Sequence, residues 1–275
     1  MRLKLVVAYV GTRYCGWQIQ EKPSPPPTIQ GELEAALRAI TGQAVRAHGS
    51  GRTDSGVHAH GQVVHCDVPD TRAGLDWRNS LNAILPRDIR VLHAQQAAPD
   101  FHARKDALRK TYAYQLWQEH AFMPPHLTPF VWKCGPLSME AMRAALPHLM
   151  GLHDFAALRN VGTDVDSTER TVLRAELHAM PPCEFYPAHA PMLRFMVTAD
   201  GFLKQMVRNM AGLLVACGQG KIAPQDVPAL LATGDRRAVP SVTAPPQGLA
   251  MVNVEYPALH SQTICPGKRT IIQYK

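Results

Sequence analysis

One carboxylate in this chain is placed like a reagent. Asp54 stands in the run Gly51-Arg52-Thr53-Asp54-Ser55-Gly56-Val57-His58-Ala59, with an arginine two residues before it and a histidine four after. Glycines at 49, 51 and 56 permit positive φ and close approach to a ligand, so the aspartate is expected on a tight loop pointing into a cleft. The plain alternative is a turn, since aspartate beside glycine often bonds its own backbone. Three chemistries compete with it. Asp54-Ser55-Gly56 has the shape of an aspartic-protease core, but that mechanism needs a second such aspartate; Asp154 and Asp200 lack the pattern, and Arg52 would set a cation beside a pair that must keep a proton. Ser50 or Ser55 with His58 would suit a serine nucleophile, yet no Gly-x-Ser-x-Gly elbow supports it. The third is an aspartate that is itself the nucleophile, kept charged by a nearby arginine, and Arg52 favours it.

Such a loop needs rigid neighbours. Ala44 to Ala47 before it and Gln62 to Val68 after it read as strands. Arg2 to Tyr9 alternates as a strand, and the segment Pro23-Ser24-Pro25-Pro26-Pro27 reads as a loop that cannot join a regular ladder. Ile29, Leu33, Ala36, Leu37 and Ile40 then form one helical stripe with Thr28 as N-cap. A helix over Asp76 to Leu85, stopped by Pro86, and a strand over Ile89 to Gln95 complete the order β-α-β-β-α-β, the split βαβ arrangement. The second half repeats the plan loosely. It offers strand Arg109 to Trp117, helix Ser138 to Leu149, strands Arg170 to Met180 and Met192 to Asp200, helix Phe202 to Cys217, a short helix after Pro224, and strand Leu249 to Glu255. The chain should therefore be α+β, with two ferredoxin-like, split-βαβ lobes (1–105 and 106–258) sharing a continuous mixed, mostly antiparallel sheet with a central cleft. A basic tail, 259–275, follows. On the helix from Phe202, Lys204 and Arg208 are four apart and share a face distinct from the core stripe; if that face looks into the cleft, an arginine is available to Asp54.

Charge narrows the partner. Lysine and arginine number 29 against 22 acidic residues, a net +7 that favours a polyanion. Cations interleave with aromatics: Arg13 with Tyr14 and Trp17, Arg104 with Lys105, Arg109 and Lys110 with Tyr112 and Tyr114, then Lys204 and Arg208. Cations hold phosphates and rings stack on extruded bases, so the pattern suits RNA or single-stranded nucleic acid. Six cysteines show no Cys-x-x-Cys pair, and no signal-like or long apolar segment occurs; a reduced, cytoplasmic protein without a membrane span is expected. His58, His60, His65 and Cys66 do not complete a zinc pattern, and serve instead for hydrogen bonds, RNA contacts or solvent. Gly218-Gln219-Gly220-Lys221 is not a Walker loop, which argues against nucleotide hydrolysis.

Gly51 to Ala59, Phe101-His102-Ala103-Arg104, Tyr112-Ala113-Tyr114, Met206-Val207-Arg208-Asn209 and Gly248-Leu249, taken together and in this order, resemble the TruA-type tRNA pseudouridine synthases. The resemblance runs from about Leu3 to Pro257. It implies a homodimer with basic clefts, no cofactor and no metal. The implied reaction isomerises uridine to pseudouridine at positions 38, 39 and 40 of the tRNA anticodon stem-loop. Asp54 aligns with the family's catalytic aspartate, Arg208 with the arginine that pairs with it, and Tyr112 with the catalytic aromatic that stacks on the target uracil and would help move protons late in the reaction. Arg52 would grip phosphate or assist extrusion of the nucleotide, Leu249 would pack against the uracil, and His58, Arg104, Lys110 and Lys204 would line the RNA path. Ser55 stands where alanine or lysine is common in the family. An RNA-binding module without catalysis is the competing class, but a charged aspartate in its cleft would repel phosphate.

Overall fold

The computed structural model describes residues 1–21, 24–160, 166–180 and 192–258, so the expected tail at 259–275 and the loop from Cys183 to Pro191 lie outside the described residues. Strand β1 (Arg2–Tyr9) buries Leu3, Leu5, Val7 and Tyr9 and leaves the alternate positions half-buried, as a strand packed on one face requires. Helix α1 (Ile29–Thr41) starts where Thr28 Oγ1 accepts the Gly31 amide at 3.2 Å, and it buries Ile29, Leu33, Ala36 and Leu37. After it come β2 (Ala47–Gly49), β3 (His58–Asp67), α2 (Trp77–Ile84) and β4 (Ile89–Gln96). Asp76 caps α2 by accepting the Asn79 amide at 3.0 Å. β1 pairs antiparallel with both β3 and β4, and β2 pairs antiparallel with the far end of β3.

β2 begins three residues later than expected and β3 four residues earlier. The early start of β3 has a distant cause: His58 and Ala59 pair in parallel with Ala250 and Met251, a partner that local alternation cannot reveal.

The second half contains β5 (Arg109–Trp117), β6 (Trp132–Lys133), α3 (Met139–Ala145), β7 (Gly151–Asp154), β8 (Glu169–Ala179), β9 (Met192–Ala199), α4 (Met206–Gly218), α5 (Val227–Ala232) and β10 (Leu249–Glu255). β10, β5, β9 and β8 lie side by side, each antiparallel to the next, in the spatial order that β4, β1, β3 and β2 follow in the first half. Ten strands make one mixed, largely antiparallel sheet with flanking helices, the two halves meeting where β3 runs parallel to β10. β6 and β7, of two and four residues, are too short for a sequence pattern to mark.

Two helices depart from expectation. α3 gives way at Leu146 to a 3-10 turn, because Pro147 cannot donate the next helical hydrogen bond. α4 begins at Met206 rather than Phe202, since Gln205 adopts φ +60°, a left-handed conformation that breaks the run. Lys204 is therefore not on a helix and shares no helical face with Arg208. α4 is also buried all round, every residue except Arg208, and not along one stripe.

Candidate active site

The segment from Ser50 to Val57 has no regular structure of its own and is fixed by its neighbours. The Ser50 amide donates to the Val63 carbonyl at 2.8 Å, and its hydroxyl lies 2.6 Å from Gln62 Oε1. The other end of the Gln62 amide donates to the Gly51 carbonyl at 2.7 Å. Tyr9 Oη and Thr53 Oγ1 share a hydrogen bond of 2.8 Å, and the Trp17 amide donates to the Thr53 carbonyl at 3.1 Å. On the far side of Asp54, the Ser55 hydroxyl and the Gly56 amide both donate to the Tyr14 carbonyl, at 3.2 and 3.3 Å. Of the three glycines, only Gly56 takes positive φ (+79°); Gly51 serves by size, since a Cβ there would lie 3.1 Å from Met251 Cε and 3.7 Å from Tyr112 Oη. The residues on either side of Asp54 are anchored, while its side chain stays 33% exposed.

Arg208, at the start of α4, meets it. Arg208 Nη1 lies 3.0 Å from Asp54 Oδ2, across 154 residues of sequence. The guanidinium is only 12% exposed, and its Nε donates to the Ala244 carbonyl at 2.7 Å. Two acceptors in a fixed relation thus set its plane. The pairing expected of Arg208 is present, although it comes from the first turn of α4 and not from a face shared with Lys204, which is exposed in the preceding turn.

Tyr112 and Lys110 project from the same face of β5, two residues apart. Tyr112 is 7% exposed and packs edge-on against Phe202, with centroids 5.1 Å apart. Burial, then the Tyr9 and Asp54 charges, push its phenol well above the ordinary tyrosine value, so the hydroxyl keeps its proton. Leu249, buried on β10 opposite Tyr114, shares that face of the sheet with Tyr112 and Met251. Arg52 is exposed beside Gly51.

Lys110 Nζ would stand 3.9 Å from a Cβ at Gly51. Burial, followed by the charges of Arg104 and Arg170, pushes its ammonium down to about 8. Arg104 is exposed in the turn after Phe101, a turn seated by histidines: the Ala103 amide donates to His65 Nδ1 at 3.1 Å, and His65 stacks on His48 with centroids 4.8 Å apart. The Tyr256 hydroxyl donates to the Ala103 carbonyl at 2.6 Å.

His58 differs from the expected RNA contact. It is 5% exposed, Nδ1 accepts the Gly11 amide at 3.0 Å, and Nε2 donates toward the carbonyls of Pro129 and Gln247 at 2.8 and 3.1 Å. Burial lowers its affinity for a second proton, and the ring is a strut under the Asp54 loop. Sequence reasoning passes over Arg170 and the structural part of Asn209. Arg170 carries no local signal, whereas Asn209 is the single amide in the apolar run from Met206 to Cys217.

Among the described residues no group of three or more His, Cys, Asp and Glu side chains is arranged to hold a metal ion, and no helix is long and apolar enough to cross a membrane. The chain matches the family described as tRNA pseudouridine synthase over residues 5–105 and 145–257. It is 51% identical to the tRNA pseudouridine synthase A of Nitratidesulfovibrio vulgaris strain Miyazaki F, across 93% of this chain and 99% of that one. The same name belongs to relatives in Oleidesulfovibrio alaskensis, 51% identical over 93% of this chain and 96% of the other, and in Geobacillus kaustophilus, 41% identical over 93% and 94%. With that match spanning both halves of the sheet, the chain belongs to the tRNA pseudouridine synthase family, in its TruA (tRNA pseudouridine synthase A) branch.

Proposed function

We propose that this protein isomerises uridine to pseudouridine at positions 38, 39 and 40 of the tRNA anticodon stem-loop, with Asp54 as nucleophile. The observation that carries the reading is the Asp54–Arg208 pair: a partly exposed carboxylate on an anchored loop, held 3.0 Å from a mostly buried guanidinium. In the reaction the C1′–N1 bond breaks, the uracil turns, and a C1′–C5 bond forms. C5 gives up a proton, N1 gains one, and nothing is added to or lost from the nucleoside. Attack at C1′, addition to C6 and proton removal through a glycal all start from the same carboxylate.

A stem base must leave its stack before a side chain can reach it. Tyr112 then stacks on the uracil and Leu249 packs against it, while Arg52 grips phosphate or assists the extrusion. Arg104, Lys110 and Lys204 hold the backbone. Two ferredoxin-like lobes, 1–105 and 106–258, form the walls of the site; the recurrence of one strand order in both halves supports that division. The enzyme acts as a cytoplasmic homodimer and uses no cofactor.

The test is Asp54→Asn assayed on tRNA from cells lacking this gene. We expect tRNA binding within about twofold of the parent and pseudouridine formation lower by at least roughly a thousandfold. Unchanged turnover would refute the reading.

A further inference from the structure

Beneath Arg208 lies a chain of side-chain amides that the proposed chemistry does not use. Asn209 is completely buried in α4, yet every polar atom of its side chain is engaged. Its Nδ2 donates to the Leu158 carbonyl at 2.8 Å and to Asn160 Oδ1 at 3.1 Å, and its Oδ1 accepts the Thr243 hydroxyl at 2.7 Å. Asn160 in turn donates to the side chain of Gln205, the only described non-glycine residue with positive φ. Four polar side chains from three distant segments are linked in series. An apolar residue at 209 would bury more cheaply, so satisfied amides here specify one arrangement of the three segments.

That arrangement ends at the guanidinium. Next to Thr243, the Ala244 carbonyl accepts Arg208 Nε at 2.7 Å and the Ala244 amide donates to the Arg208 carbonyl at 3.2 Å. The segment lies flush on α4: a Cβ at Gly212 would fall 1.8 Å from the Val242 carbonyl oxygen. Arginine has several rotatable bonds, and without an acceptor for Nε its Nη1 would sweep through many positions instead of pointing at Asp54.

We propose that Asn209 and Thr243 are positioning residues, whose hydrogen bond fixes the 243–244 segment on α4 so that the Ala244 carbonyl aims Arg208 at Asp54. The inference rests on Asp54 being the reactive group. Positioning of this kind governs the rate of the step more than affinity for the substrate.

Thr243 is half-exposed, so Thr243→Val removes the hydroxyl with little change in volume and Thr243→Ala offers the same test with less bulk. For either variant we expect kcat for pseudouridine formation to fall about tenfold, with KM for tRNA within about twofold, and Thr243→Ser to restore kcat. In an Arg208→Lys background, where no Nε remains to be oriented, Thr243→Val should cost less than about twofold more. Parental kcat in both Thr243→Val and Thr243→Ala overturns the proposal, as does full additivity with Arg208→Lys or a mere drop in melting temperature. If Asp54→Asn keeps turnover, the functional reading itself fails; if Asp54→Asn is inactive while Thr243→Val equals the parent, only the positioning role is lost.

Discussion

At one end of the site charges cancel, and at the other they accumulate. Asp54 and Arg208 form a one-to-one pair, each held by a separate element. Around Lys110, two residues along β5 from Tyr112, burial acts first on the ammonium and the charges that act after it are those of Arg104 and Arg170, both cations. A lone carboxylate in an RNA groove would push phosphates away, so on the proposed reading the pairing with arginine would let a nucleophile sit there without repelling the substrate. Like charges that repel one another are relieved by an anion among them, and a sugar–phosphate backbone would supply it. On the proposed mechanism, compensated charge serves the reacting end, and mutually repelling cations serve the end that holds the polymer.

The sharpest way to break this contrast is at the paired end. Arg208→Ala should lower pseudouridine formation about a hundredfold while changing tRNA affinity less than about threefold. Single-turnover rates beside binding isotherms would separate the two, and a variant that turned over normally but bound poorly would place Arg208 with the holding cations.

At the other end the signature is salt. Lys110→Ala and Arg170→Ala should each weaken tRNA binding and flatten the plot of log affinity against log salt, by roughly 0.7 to 0.9 for every phosphate that is no longer neutralised. Their single-turnover rates at saturating tRNA should stay within about threefold of the parent. An unchanged slope would mean that these cations do not meet phosphate.

A pH dependence follows from the same lysine. The unfolded chain binds more protons than the native protein between about 8 and the ordinary lysine value, so through this group stability rises with pH across that window. Binding behaves oppositely. A phosphate restores the ammonium, so complex formation takes up a proton above pH 8, and affinity should fall as pH rises through that range. Lys110→Arg should flatten the dependence, measured as Kd at constant ionic strength.

The smallest effect is expected at Tyr112. Its phenol is pushed far from ionising, and the ring is already packed on Phe202. Tyr112→Phe keeps the stacking face, so tRNA binding should be unchanged and turnover should drop by no more than about threefold. A loss as large as that of Arg208→Ala would assign the hydroxyl to a proton transfer.

Much of this arrangement is legible in the sequence where its causes are local. The Thr28 cap, the stop at Pro86, the alternation in β1 and the order of strands and helices in each half depend on neighbours within a few residues. The loop glycines around Asp54 mark it for the same reason, though only Gly56 uses positive φ. What escapes is made by partners far along the chain. His58 offers itself to RNA in sequence and becomes a strut because Gly11, Pro129 and Gln247 claim both nitrogens. Arg170 joins Lys110 only through two intervening strand pairings, by way of β9. Helical spacing points to Arg208 through Lys204, and one left-handed residue, Gln205, removes Lys204 from that helix without disturbing Arg208.

The parallel joint between β3 and β10 also sets a timetable. His58, at the base of the Asp54 loop, takes its sheet partner from Ala250, and Leu249 comes from that same strand. A growing polypeptide on the ribosome therefore holds its aspartate long before it owns the strand that seats it. The complete site arrives late in synthesis, and a truncated product ending before residue 249 would carry Asp54 without the frame.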